Sequence, residues 1–271
     1  MTAPHAAAAA GAPLLDAVTA VAEEIADLLR TRPDGAGRRI PGAEWSVGEA
    51  AAHLAVANEL MADAADGRER RYGDGTPGSL AEANARSLAA FTERDTAVLA
   101  QAITGHARDF VRAAARRPAT APVVTPLGPM DLGTLGCYLL THMLAHGYDI
   151  ARALGRPYRL DRARVELCMP FLLAGMPLVI DPSAAAGHHG CYAIRLRGGS
   201  RFAVTIADGA ATVTTEPSRR PDCTISIEPV AFFLLALGRT GLLSVMARGK
   251  VLSWGRRPWR APGFPMLFKA P

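Results

Sequence analysis

The chain has 271 residues, 49% of them hydrophobic and 20% charged, with a formal net charge of +5. That length suits one large domain or two ordinary ones, and the composition excludes a disordered or fibrous protein. The positive charge does not point to nucleic acid: acidic residues are interspersed, only Lys250 and Lys269 are lysines, and no basic block is interleaved with aromatics.

In chain order, "MTAPHAAAAAGAP" lacks the basic start and bulky apolar core of a signal peptide and reads as a frayed tail over residues 1–10. Leu14, Leu15, Val18, Val21, Ile25, Leu28 and Leu29 then recur at helical spacing, and "RPDG" ends that helix. A second helix follows in "WSVGEAAAHLAVANELMADAADG", where Ser46 and Glu49 form a capping-box pattern and Gly67 is the stop. A third, long helix runs from about Ser79 to Pro118, with a break expected near Gly105. "APVVTPLGPM" reads as a proline-punctuated connector, and a fourth helix is expected from about Asp131 to Leu154, stopped by Gly155 and Pro157. Four helices of this kind suggest an up-down bundle.

The pattern changes near Arg159 to Arg164. "ARVELCMPFLLAGMPLVI" looks helical; then "CYAIRLRGGSRFAVTIADGAATVTTE" alternates with period two, broken by the turn pairs Gly198-Gly199 and Asp208-Gly209. "DCTISIEP" is a further strand, "VAFFLLALGRTGLLSVMARG" an apolar helical run, and "GFPMLFKAP" a short closing helix. The fold class is therefore an α bundle over 11–160 joined to a small α+β domain with an antiparallel sheet over 161–271. No apolar run reaches the ~18–20 residues that span a bilayer. Cys137, Cys168, Cys191 and Cys223 are far apart and read as reduced thiols of a cytoplasmic protein without a membrane partner.

Chemistry concentrates on the fourth helix. His142 and His146 are i and i+4, so both leave one helix face and suit a shared metal ion. Spacing alone supplies two ligands, and one imidazole could equally be a satisfied core residue. His53, two turns after Ser46 among alanines and leucines, is the third candidate; alone it reads as a buried, hydrogen-bonded histidine. Together the three give neutral nitrogen ligands with positions open for water or substrate. Asp149 lies three residues after His146 and either orients a ligand imidazole or pairs with Arg152 at the surface. "GHHGC" reads as a loop whose adjacent histidines diverge, Cys137 as a buried small hydrophobe, and His106 as solvated.

"WSVGEAAAHLA" and "LLTHMLAHGYDIARALGRP" resemble two signature stretches of the DinB-like superfamily, and the branch they are most similar to is the mycothiol-dependent maleylpyruvate isomerase family. "DCTISIEPVAFFLLALGRTGLLSVMARGKVLSWG" resembles the sterol-carrier-like domain that accompanies many members. The resemblance implies a DinB-like four-helix bundle in which His53, His142 and His146 hold a divalent ion, usually zinc, with mycothiol as cosubstrate. The position of His142 is often a glutamate in the isomerase branch; a histidine there resembles the three-histidine pattern of thiol-transferase-type relatives. The chemistry implied is thiol activation, leading to S-transfer to an electrophilic small molecule or to cis–trans isomerisation of an unsaturated acid such as maleylpyruvate. The isomerase branch also implies an arginine of the C-terminal domain on the substrate carboxylate, and Arg256 is the candidate beside a plain surface reading. The expected partners are a small thiol and a small electrophile, in a monomer or homodimer. Rival readings are a non-catalytic protein whose "VAFFLLALG" lines a lipid or hydrophobic-metabolite pocket, and an enzyme of specialised metabolism that reuses the metal.

Overall fold

Leu14, Val18, Val21, Ile25 and Leu29 form one apolar stripe along α1 (Gly11–Arg30), and all five are buried. The structure, a computed structural model, describes residues 11–269 except 217 and 219; the tail expected over 1–10 lies outside the described residues. α2 (Val47–Asp66) starts at a complete capping box: the Glu49 backbone N–H donates to Ser46 Oγ at 3.3 Å and the Ser46 N–H donates to Glu49 Oε2 at 2.7 Å. Gly67 ends it in the left-handed region, at φ +88°.

The third helix is two helices. α3 (Leu80–Ala90) and α4 (Thr96–Ala114) are separated at 91–95, and Gly105 stays inside α4. The break lies where Asp95 accepts from the backbone N–H groups of Ala97 (2.7 Å) and Val98 (3.2 Å). A carboxylate that satisfies these orphan donors defines a helix start, whereas a glycine inside a helix costs only about 1 kcal/mol and need not interrupt it. The expected connector is also more ordered: β1 (Pro122–Thr125) and β2 (Gly128–Asp131) form an antiparallel hairpin. Gly128 takes φ +95°, and Thr125 Oγ1 donates to its carbonyl at 2.8 Å. An isolated two-stranded ribbon tolerates Pro122, Pro126 and Pro129 because few of its N–H groups enter a ladder. Asp131 then caps α5 (Leu132–Leu154), and Gly155 stops it at φ +64°.

The four long helices α1, α2, α4 and α5 make the bundle, α1 and α2 each packing against α4 and α5, with α3 laid on α2. Phe110, Leu99, Ile103, Leu139 and Met143 are fully buried at its centre, each worth about 1.5–3 kcal/mol of transfer free energy.

The chain divides into compact units between Leu160 and Asp161. The second unit opens with α6 (Arg162–Gly175) and the short α7 (Pro182–Ala185). Its five-stranded sheet has the order β5-β4-β3-β6-β7, from β3 (Gly190–Leu196), β4 (Arg201–Ala207), β5 (Ala210–Thr214), β6 (Cys223–Ile227) and β7 (Val251–Trp254). The two hairpins turn where expected, with Gly198 at φ +74° and Asp208 and Gly209 at +52° and +75°. The sheet is antiparallel apart from one parallel pair, β3 with β6, a long-range pairing that local turn chemistry does not encode. The apolar run after β6 is cut into α8 (Pro229–Ala236) and α9 (Leu242–Ala247), with Gly238 at φ +71° between them. The C-terminal segment forms 3-10 turns at Pro258–Gly263 and Pro265–Leu267 instead of a closing α-helix, because Pro258, Pro262 and Pro265 lack the N–H groups an α-helix requires. No helix among the described residues is long and apolar enough to cross a membrane.

Candidate metal centre

The Ser46 cap fixes the rotation of α2, and two turns later this puts His53, 6% exposed, on the side that packs against α5. On α5, His142 and His146 stand one turn apart. The three rings converge, with centroid separations of 4.8 Å (His53–His142), 5.0 Å (His53–His146) and 4.7 Å (His142–His146). One ligand nitrogen from each lies within 4.8 Å of the others. Among the described residues this is the one group of three or more histidine, cysteine or carboxylate ligands that could share an ion.

His53 Nε2 faces His142 Nε2 at 2.8 Å. Two imidazole lone pairs so close need a proton or a cation between them. Desolvation by burial pushes the His53 pKa down to about 4, so at neutral pH this ring presents a lone pair without first losing a proton. Three neutral nitrogens from two helices are a donor set that zinc accepts at ~2.0–2.1 Å, with a fourth position open. The residues present therefore fit a divalent ion.

Other side chains surround the three imidazoles. Asp149, a buried carboxylate, has Oδ2 3.7 Å from His146 Nδ1, an ion-pair distance longer than a hydrogen bond. It stands beside the nitrogen His146 would not use if Nε2 were its ligand atom. The Trp45 ring covers the cluster, 4.9 Å from His53 and stacked at 5.9 Å on His146. The Tyr138 ring meets His142 edge-on at 6.3 Å, and burial pushes its phenol pKa up, so the hydroxyl stays protonated. Gly147 leaves room for Tyr158 to cross α5, and the Tyr158 hydroxyl donates to the Met143 carbonyl at 3.5 Å. Trp45 and Tyr138 are not singled out from the sequence; Tyr138 lies one helical turn before His142, a spacing that flags it, whereas Trp45 stands in the motif ahead of α2 and only the fold brings it over the cluster.

The remaining candidates lie elsewhere. Arg256 is exposed in the bend after β7, in the second unit; its expected role rests on the resemblance alone. His188 Nε2 pairs with the Tyr192 hydroxyl at 2.7 Å, a local contact of the second unit. Cys137 is buried, and all four cysteines are free thiols.

Residues 18–151 match the family model described as mycothiol maleylpyruvate isomerase N-terminal domain, and residues 179–252 match the SCP-2 sterol transfer family. Among solved structures, a mycothiol-dependent maleylpyruvate isomerase aligns at 14% identity, covering 89% of this chain and 91% of that one, with a TM-score of 0.53. A histidine-to-alanine mutant of that isomerase aligns at 15% identity over the same shares, again with a TM-score of 0.53. The chain spans only 25% of the length of the sec-alkylsulfatase Pisa1 from Pseudomonas sp., at 16% identity over 52% of this chain; at a TM-score of 0.35 that likeness carries no argument. No curated protein matches the chain. At these identities the solved structures speak to the fold, a helical region followed by a domain with an antiparallel-rich sheet. The chain thus joins a domain similar to the mycothiol maleylpyruvate isomerase N-terminal domain, over residues 18–151, to one similar to the SCP-2 sterol transfer family, over residues 179–252.

Proposed function

We propose that this chain is a metal-dependent enzyme that uses a low-molecular-weight thiol, mycothiol by family, to act on a small electrophilic molecule in the cytoplasm. The observation that carries the reading is the convergence of His53, His142 and His146 from two helices, their ligand nitrogens within 4.8 Å of one another. A divalent ion held there, zinc being the first candidate, would supply the Lewis acidity that brings a thiol pKa into the neutral range. His53 contributes by staying neutral above a pKa of about 4. His142 contributes a ligand without negative charge, so the site keeps one more positive charge than a glutamate there would leave, favouring thiolate over thiol. Asp149 places a carboxylate beside the His146 ring, and Trp45 and Tyr138 shield the imidazoles in part, which strengthens the electrostatic interactions among them.

Two outcomes follow from thiol addition to an activated double bond. In one, the new C–S bond persists and the neighbouring carbon takes up a proton, giving a thioether. In the other, the double bond is restored after rotation, the thiol is expelled, and the isomerised acid leaves. The histidine at 142 favours the first by its resemblance to the three-histidine pattern of thiol-transferase-type relatives, the family the second. Arg256 enters as a contact to a substrate carboxylate on the family resemblance alone.

Elemental analysis of protein purified without chelators is expected to find about one divalent ion per chain, and the His53→Ala protein is expected to lack it. A metal-free wild-type chain sinks the reading. Incubation of the loaded protein with mycothiol and maleylpyruvate then separates thioether from isomerised product.

A further inference from the structure

A cavity of about 290 Å³ opens on the flank of the bundle, among α2, the segment after it and α3. Its apolar wall includes Val56 and Leu60 of α2. These follow His53 by three and seven residues, so they share its helix face, about 4.5 and 10.5 Å further along the axis. Tyr72, another wall, acts electrostatically on Tyr138, the residue whose ring edge rests on His142. Val56, in the cavity wall, therefore stands one helical turn from His53 on α2.

Its charge is one-sided. Arg70, Arg71 and Arg86 line it, and no carboxylate does. Arg70 is paired with Glu59 (3.2 Å) and Asp63 (2.8 Å), and Arg86 with Glu82, one turn away on α3. Arg71 has no ion pair among the described residues. The backbone that presents it is held in shape: Gly73 takes φ +66°, the Asp74 N–H donates to Ser79 Oγ at 3.0 Å, and the Tyr72 hydroxyl donates to Asn84 Oδ1 at 2.6 Å. An exposed guanidinium without a carboxylate partner, beside an apolar wall, suits a small anion with an apolar body, and its planar fork matches a carboxylate bidentately.

The geometry points to this cavity as the carboxylate subsite of the histidine centre, with Arg71 binding the acid group of the electrophilic substrate and Val56 and Leu60 bounding its carbon chain. This rests on the thiol-dependent reading above and places carboxylate recognition within the bundle itself, independent of Arg256.

Calorimetric titration of the full chain with maleate tests it, since maleate is a small unsaturated dicarboxylate and its binding is read without turnover. Maleate is expected to bind at least 10-fold tighter than its uncharged dimethyl ester. Arg71→Gln should weaken maleate at least 10-fold with the Tm unchanged, and Arg71→Lys should recover part of the loss. Arg71→Gln with unaltered maleate affinity overturns the proposal. So does a loss confined to Arg256→Gln, or sulfate binding as tightly as maleate, which would mark unselective anion attraction. Metal content is measured separately on the same samples. A chain that binds maleate through Arg71 but holds no ion keeps this subsite and loses the thiol-dependent reading; a metal-loaded chain indifferent to Arg71→Gln does the reverse.

Discussion

The bundle encloses His53, Asn58 and Asp149 among leucines and alanines, whereas Arg164 and Thr224 are the buried polar side chains of the second unit among the described residues. The second unit instead carries large apolar side chains on its outside, Leu243 at 82% exposure and Trp259 and Met266 at 72% each. Burying an imidazole or carboxylate costs free energy unless a partner compensates it. A helix satisfies its own backbone hydrogen bonds, so a bundle interior can accept side chains that need one another; a sheet interior built from paired β-branched and aromatic residues has less room for them. The bundle therefore holds a preorganised polar cluster, and the sheet unit offers surface.

The contrast is broken most sharply by removing one histidine of the cluster. His142→Ala is expected to abolish stoichiometric metal binding and lower thiol-dependent turnover on the order of 100-fold or more, read by elemental analysis beside product formation. If the second unit held the chemistry, this substitution would leave both untouched. Core truncations sharpen the comparison next. Phe110→Ala in the bundle and Phe233→Ala in the second unit, both fully buried, should each cost about 3–5 kcal/mol. Hydrogen exchange is expected to quicken mainly in the unit that carries the substitution, with metal loss accompanying Phe110→Ala alone. Asp149→Asn should weaken metal affinity 10- to 100-fold, about 1.4–2.7 kcal/mol, without unfolding the bundle; unaltered affinity in a competition titration would reduce Asp149 to a packing residue.

The smallest effect concerns the cap that orients His53. Ser46→Ala should cost about 1 kcal/mol in chemical denaturation. The Ser46 backbone N–H, then its hydroxyl, hold the Glu49 carboxyl below its ordinary 4.5. A carboxyl with a lower pKa folded than unfolded adds stability that is present above about pH 4.5 and lost as pH falls below it. Glu49→Gln should flatten that part of the acid limb, and an unchanged pH profile would show that the capping carboxylate contributes nothing measurable.

Much of this is written in short-range chemistry. Ser46 with Glu49, Asp131, Gly67 and Gly155 mark helix ends because a cap is satisfied within a few residues of itself, and Asp208-Gly209 marks a hairpin because the left-handed region selects such residues. The same locality misled at Gly105, where a glycine suggested a break that Asp95 makes ten residues earlier. It was silent on the β1–β2 hairpin, whose prolines read as loop.

The sequence by itself determined which residues could ligate: an i, i+4 histidine pair on one helix face and a third histidine set by its cap on another. Only the tertiary structure decided that α2 and α5 pack so that His53 and His142 face each other at 2.8 Å, that Trp45 and Tyr138 wall them, and that β3 runs parallel to β6. Only it gathers Arg70, Arg71 and Arg86 around one cavity while giving carboxylate partners to two of them. The physical reason is range: caps and turns are satisfied locally, while ligand convergence depends on a contact between residues 89 positions apart, His53 and His142.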